Sequence, residues 1–456
     1  MKEQNTKMEL LESAPIPKAL LALGLPTMIG MLINALYNLV DAYFVGGLGT
    51  DQMGAITVAY PLGQVVVGLG LLFGNGAAAY LSRLLGRGDK KRADKVASTA
   101  LYSSVVLGAA AILCSLIFLK PILIRLGALE SVMPYAVSYT SIYITFSIFN
   151  VFNVTMNNIA SSEGAAKTAM CALMAGALLN VVLDPVFIYT LDLGIAGAAI
   201  ATAVSQISST LIYLFYILRK KSVFSFRISE CCFSKEIMYE ILKIGIPTLI
   251  FQLLTSLSIS MINDAAKEYG SAALAAMGPV TKIMSMGSLM VFGFLKGFQP
   301  IAGYSFGARK YERLQEAIKT SVIWSTLFCA AFGVCTALFS SGIMARFTKG
   351  DMDMIHIGVT ALRANGVTFI LFGFYTVYSF LFLVMGKAKE GLMLGICRQG
   401  ICFVPMILLL PGLLGLKGVL YAQPAADVLS GIITVFMAVR LHKELASSYR
   451  YDESCF

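Results

Sequence analysis

"GLPTMIGMLINALYNLVDAYFVG", residues 24–46, runs for 23 residues with one charged side chain, Asp41. About 20 apolar residues in a row are what a helix needs to cross a bilayer. A carboxylate inside such a run is costly if lipid surrounds it. The segment therefore reads as a membrane helix with one face turned to protein or water. Asn34, Tyr37, Asn38 and Asp41 supply that face, since helical residues three or four apart lie side by side.

The rest of the chain extends this reading. Of 456 residues, 57% are hydrophobic and 13% charged, about half the charged share of an ordinary soluble domain. Apolar runs recur near 18–44, 56–81, 96–119, 136–160, 168–190, 195–218, 239–267, 277–302, 320–345, 357–385, 391–413 and 418–440. They are continuous and do not alternate, which excludes a β-barrel pattern and predicts about twelve membrane helices. No cleavable leader is visible behind the charged start (Lys2, Glu3, Lys7, Glu9, Glu12). The net charge of +10 sits in alternate loops, at Arg83–Lys95, Arg219–Arg227, Arg309–Arg313, Lys387–Lys389 and Arg440–Arg450. That is the distribution of cytoplasmic loops and gives no nucleic-acid signal. Both termini are expected to be cytoplasmic. The nine cysteines form no framework and read as small buried hydrophobes.

The opening stretch also has a counterpart. "LGLPTMI" at 23–29 returns as "IGIPTLI" at 244–250, a shift of 221 residues. Gly76 and Gly297, Gly86 and Gly307, Gly194 and Gly415, and Gly197 and Gly418 keep the same shift; Gly164 and Gly386 slip by one. Two six-helix halves of equal orientation follow, related by an axis along the membrane normal. The expected units are residues 1–218, a cytoplasmic linker 219–238, residues 239–440 and a tail 441–456.

Polar groups inside the spans mark the candidate site. Asp184 lies in "ALLNVVLDPVFIY" (177–189), one helical turn after Asn180. Pro185 follows and should bend the helix. Asn150, Asn153 and Asn157 form a stripe on span four, and Thr202 lies among small residues of span six. Carboxylate, amide and hydroxyl oxygens together suit a small hard cation, and a desolvated carboxylate suits a proton. Snorkelling to the interface and interhelical bonding are the bland alternatives. The second half carries Asp264, Lys282, Lys296, Arg363, Arg398 and Asp427, read chiefly as ion-pair partners. Two histidines, no Walker loop and no nucleophile–base set argue against an enzyme.

The chain resembles the multidrug and toxic compound extrusion (MATE) transporters, in the style of the MepA/DinF-like bacterial branch. The resemblance rests on residues 24–49, on "LLNVVLDPVFIY" (178–189) with "LGIAGAAIATAVSQ" (193–206), and on "GFQPIAGYSFGARK" (297–310), with Gln299, Pro300, Tyr304, Gly307 and Ala308. It implies two six-helix lobes in a V, a central cavity, and export of amphipathic, often cationic compounds driven by H+ or Na+. It places the coupling ion at Asp41, Asn180, Asp184 and Thr202, and adds Tyr139 and Asn157 nearby; Asn34, Tyr37 and Asn153 complete the expected substrate cavity. Some relatives place acids in spans seven and ten. Here Gln252 and Thr255 line span seven and Arg363 lies in span ten, so no second cation site is implied. Ser161 stands where many relatives have arginine, and nothing explains that change. A lipid-linked oligosaccharide flippase of the same superfamily is the alternative, with the second-half bases on a diphosphate. The expected setting is a bacterial cytoplasmic membrane, with small-molecule substrates and lipids as partners, no cofactor beyond the ion, and a monomer.

Overall fold

The structure, a computed structural model, describes residues 2–126, 128–347 and 352–453. The side chains of Lys2, Glu3 and Arg450 lie outside the described residues. All regular structure among the described residues is helical. In chain order the first half holds α1 (Lys2–Glu12), α2 (Ile16–Gly46), α3 (Thr50–Arg87), α4 (Lys90–Ile117), α5 (Leu119–Arg125), α6 (Met133–Ser162), α7 (Ala166–Pro185) and α8 (Gly194–Leu218). The second holds α9 (Lys235–Lys267), α10 (Ser271–Gly307), α11 (Tyr311–Leu338), α12 (Ser340–Phe347), α13 (Met352–Val384), α14 (Ala388–Ile396), α15 (Phe403–Leu414) and α16 (Leu416–Glu453).

Eleven helical stretches among the described residues are long and apolar enough to cross a membrane, with α14 and α15 counted as one. The 30-residue α6 is not among them. Its Asn, Ser, Thr and Tyr residues lower its hydropathy, although it carries no charge and packs between α3 and α8. The expected bend at Pro185 takes a specific form. The α7 helix ends there and the chain continues as one wide π-turn, Val186–Thr190, which absorbs the missing proline N–H.

The helices pack as two lobes. α3, α4, α6, α7 and α8 associate with α2 in the first, and α11, α13, α14, α15 and α16 with α9 and α10 in the second. The lobes meet where α2 and α3 cross α9 and α10. Glycine permits that crossing. A Cβ on Gly86 would lie 2.2 Å from the Tyr304 carbonyl oxygen, and one on Gly307 would lie 2.1 Å from that of Arg83. Those two contacts interchange under the 221-residue shift, as contacts across a two-fold axis must.

The described contacts between lobes gather at the end that carries the basic loops. Arg83 pairs with Glu240 at 2.9 Å, and Arg92 pairs with Glu236. Farther in, Asn75 donates to Thr248 at 3.0 Å and Gln252 to Gln64 at 2.6 Å. The short α1 ties both lobes at the same end. Arg313 of α11 donates to the Leu10, Leu11 and Ala14 carbonyls, while Lys7 donates to the Tyr216 hydroxyl and the Lys221 carbonyl. Beneath it Glu163 is fully buried. It accepts hydrogen bonds from Tyr216, from Ser222 and from the Val223 amide.

Candidate functional site

The site forms where α2, α6 and α7 converge inside the first lobe. Asn180 and Asp184, one turn apart on α7, are 1% and 0% exposed, and the Asn180 amide donates to Asp184 Oδ1 at 3.2 Å. Asp41, half-buried on α2, brings its carboxyl group to that of Asp184. Three buried oxygens here receive no donor from the protein: Asp41 Oδ1, Asn180 Oδ1 and Asp184 Oδ2. Two ionised carboxylates are acceptors only and repel each other at contact. Such a pair holds together through a shared proton or a bound cation, and the three orphaned oxygens suit either.

Aromatic rings wall the pair. Tyr37 and Tyr139 both interact electrostatically with Asp41 and Asp184. Tyr139 stacks on Tyr143, with ring centroids 5.8 Å apart and planes 10° apart, and Tyr143 also faces Asp41. Sequence reasoning missed Tyr143. The signal was present, because Tyr139, Tyr143, Asn150, Asn153 and Asn157 follow one face of α6 at three- and four-residue steps or their multiples.

The other expected residues make no hydrogen bond to the acids among the described residues. Thr202 lines a small cleft between α6 and α8 with Tyr143, Asn150 and Gln206. No hydrogen bond joins it to either carboxylate among the described residues, and Tyr143 borders both sites. Asn34 and Asn38 pair with each other along α2, at 2.7 Å to the backbone carbonyl. Asn153 is an interhelical tie. It donates to the Gln206 carbonyl at 2.8 Å and accepts from Thr210 at 2.9 Å. Asn157 donates to the Tyr213 hydroxyl at 3.0 Å and accepts from Lys296 of the second lobe at 2.7 Å.

The second lobe treats the corresponding place differently. Thr202 and Gln206 shift by 221 residues onto Gln423 and Asp427. Asp427 is buried there, but it accepts from Gln423 at 2.9 Å and from Arg398 Nε at 2.8 Å. The Arg398 guanidinium lies over the Phe372 ring, 4.6 Å from its centroid. A cation built into the chain thus neutralises the second-lobe acid. Among the other second-half charges, Arg363 reaches Ser340 at 3.3 Å, and Lys282 and Asp264 are exposed.

A duplicated, two-lobed helical membrane protein with an acid pair inside one lobe is the class these observations define. The sequence profile of the MatE family matches residues 26–186 and again residues 247–409. Both segments begin at the repeated proline, Pro26 and Pro247, and the chain belongs to the MatE family. Multidrug export protein MepA of Staphylococcus aureus (strain MSSA476) is 30% identical over 438 residues, covering 95% of this chain and 96% of the relative. MepA of Staphylococcus saprophyticus is 27% identical over the same length. Among solved structures, the outward-facing conformation of a multidrug resistance MATE family transporter of the MOP superfamily superposes with a TM-score of 0.91. It is 27% identical and covers 96% of this chain and 98% of that one.

Proposed function

We propose that this protein is a cation-coupled antiporter that exports amphipathic, often cationic organic compounds across a bacterial cytoplasmic membrane. The observation that carries the reading is the facing pair Asp41 and Asp184, with three buried oxygens that no protein donor satisfies. A proton or Na+ supplies what those oxygens lack. Its arrival and departure change the charge of the cavity wall by one unit. The tyrosine wall of Tyr37, Tyr139 and Tyr143 offers a flat apolar surface with polar tips, suited to aromatic amphiphiles. MepA, named a multidrug export protein, is related over nearly the full chain and supports the same assignment.

Basic loops are retained on the cytoplasmic side, so the end at which the lobes are joined is the cytoplasmic one and the cavity opens outward. In this cycle the external cation binds the acid pair and displaces substrate outward. The lobes then reopen toward the cytoplasm, and the ion leaves as new substrate enters. The ion drives the cycle only through a difference in its affinity for the two states. Asp427 takes no part, since Arg398 already occupies it. The same pairing removes Arg398 from the bases a diphosphate-binding flippase would need. The test is dye efflux from proteoliposomes with pH and Na+ gradients imposed separately. Export driven by at least one gradient is the expected result, and export driven by neither overturns the proposal.

A further inference from the structure

Among the described residues, Lys296 meets an amide and no carboxylate. It projects from α10 at the crossing of the lobes, where Gly293 packs on Thr27 and Met28 of α2 and Gly297 packs on Gly24. Its ammonium donates to Asn157 Oδ1 at 2.7 Å. Of its three donors, that is the one described bond. Asn157 in turn donates its amide N–H to the Tyr213 hydroxyl. Among the described residues no charged group interacts with Lys296.

The contrast with the same lobe's other buried base is direct. Arg398 has Asp427; Lys296 has an amide. An ammonium taken partly out of water without a counter-charge is unfavourable. The first-lobe acids do not compensate it. Asn157 stands 14 residues along α6 from Tyr143, the ring that faces Asp41, which is about 21 Å at 1.5 Å per residue. The polar interior therefore has two poles at different depths: acids toward the open end, and an ammonium at the closed end with donors to spare. Lys296 is only partly buried, so its ammonium can be reached from the junction.

We infer that Lys296 reads an acid group on the transported compound. The substrate class then extends to amphiphiles that carry a carboxylate, bound with the acid end down at the lobe junction. This rests on the export reading above. An ammonium–carboxylate contact is a charge-assisted hydrogen bond, and losing one reduces binding about tenfold or more.

Rhodamine B carries a free carboxylate, and its ethyl ester differs only in masking it. Export of both is measured in proteoliposomes for the wild type and for Lys296→Met, Lys296→Gln and Lys296→Arg, with binding of both dyes to the purified proteins followed by fluorescence anisotropy. The readout is the acid-to-ester ratio, so a general loss of activity cancels. The ratio is expected to fall by about tenfold in the methionine and glutamine variants, one charge-assisted bond's worth, and to survive in the arginine variant. An unchanged ratio in both neutral variants, in export and in anisotropy, overturns the inference and leaves Lys296 as a tie between lobes. Wild-type export of the ester but not the acid also overturns it while leaving the antiport reading intact. Export of neither dye under any gradient overturns both.

Discussion

An acid in hydrocarbon needs a partner, and Asp184 has been given another acid. That choice separates an exchangeable site from a structural ion pair such as Arg398–Asp427, in which the counter-charge never leaves. Asp41→Asn and Asp184→Asn keep shape and remove charge. Each is expected to reach the membrane and lose most gradient-driven efflux. The double variant should be little worse than either single one, because both break one shared cycle. Uphill export at wild-type rates in both single variants would exclude the pair. Asn180→Ala should raise the cation concentration for half-maximal transport by about tenfold, roughly one lost hydrogen bond to a charged group. Thr202→Ala should shift it less, since Thr202 lies in the neighbouring cleft; equal shifts would place Thr202 at the ion. Asp41, Asn180 and Asp184 were legible in the sequence because charge and amide stand out in apolar runs. Tyr143 was not, because a tyrosine costs little at membrane depth. Which groups Thr202 faces depends on how α8 is rotated against α6, which small residues on α8 do not specify.

At the scale of the helix, glycine sets how closely the lobes approach. Gly245 shows it best, since a Cβ there would lie 1.9 Å from the Leu72 carbonyl oxygen. That obstacle is backbone and cannot swing aside. Gly245→Val should therefore lower stability by about 1–3 kcal/mol, the range for overpacking, as an earlier thermal transition of the purified protein. Gly278→Ala, at a glycine with open space around it, should leave the transition near wild type. Loss of equal size at both positions would exclude the lobe contact as the cause. The repeat made these glycines visible in the sequence, but their partners were not, because a contact across the lobes joins residues more than 130 positions apart. The α1 tether was invisible for another reason. Its hold depends on backbone carbonyls taken by Arg313 and on Glu163, whose acceptors are filled from three places in the fold. Burial raises the Glu163 carboxyl above the usual range, against the opposing pull of Lys7 and its donors. A raised acid favours the folded state below its unfolded value, and that contribution is lost as pH rises through the folded one. Stability of the folded chain should accordingly fall with rising pH through this group, read as an earlier thermal transition of the purified protein. Glu163→Gln should flatten that dependence, and a profile as steep as the wild type's would assign it to another group.

For the whole molecule, duplication supplied a symmetric frame, and divergence has made the halves unequal. The first half keeps an acid pair with unsatisfied oxygens, whereas the buried acid of the second, Asp427, is already paired with Arg398. In the proposed cycle the first lobe exchanges the ion and the second provides the surface against which it moves. The frame itself was legible from the apolar runs and the 221-residue shift. Which end of the V is joined was not, since that depends on side chains paired across the lobes. Arg83–Glu240 and Arg92–Glu236 both cross at the end with the basic loops. If alternating access operates, those contacts must separate once per cycle, and joining them covalently should arrest transport. Arg92→Cys and Glu236→Cys, in a background without the native cysteines, place two thiols at an exposed point of the crossing. A short bismaleimide should link them and abolish efflux. Either single cysteine treated in the same way should remain active, which excludes modification alone as the cause. A cleavable linker of similar length should restore efflux when cut. Transport that continues at full rate in linked protein would show that the joined end never opens, and the cycle would then have to proceed without separating α4 from α9.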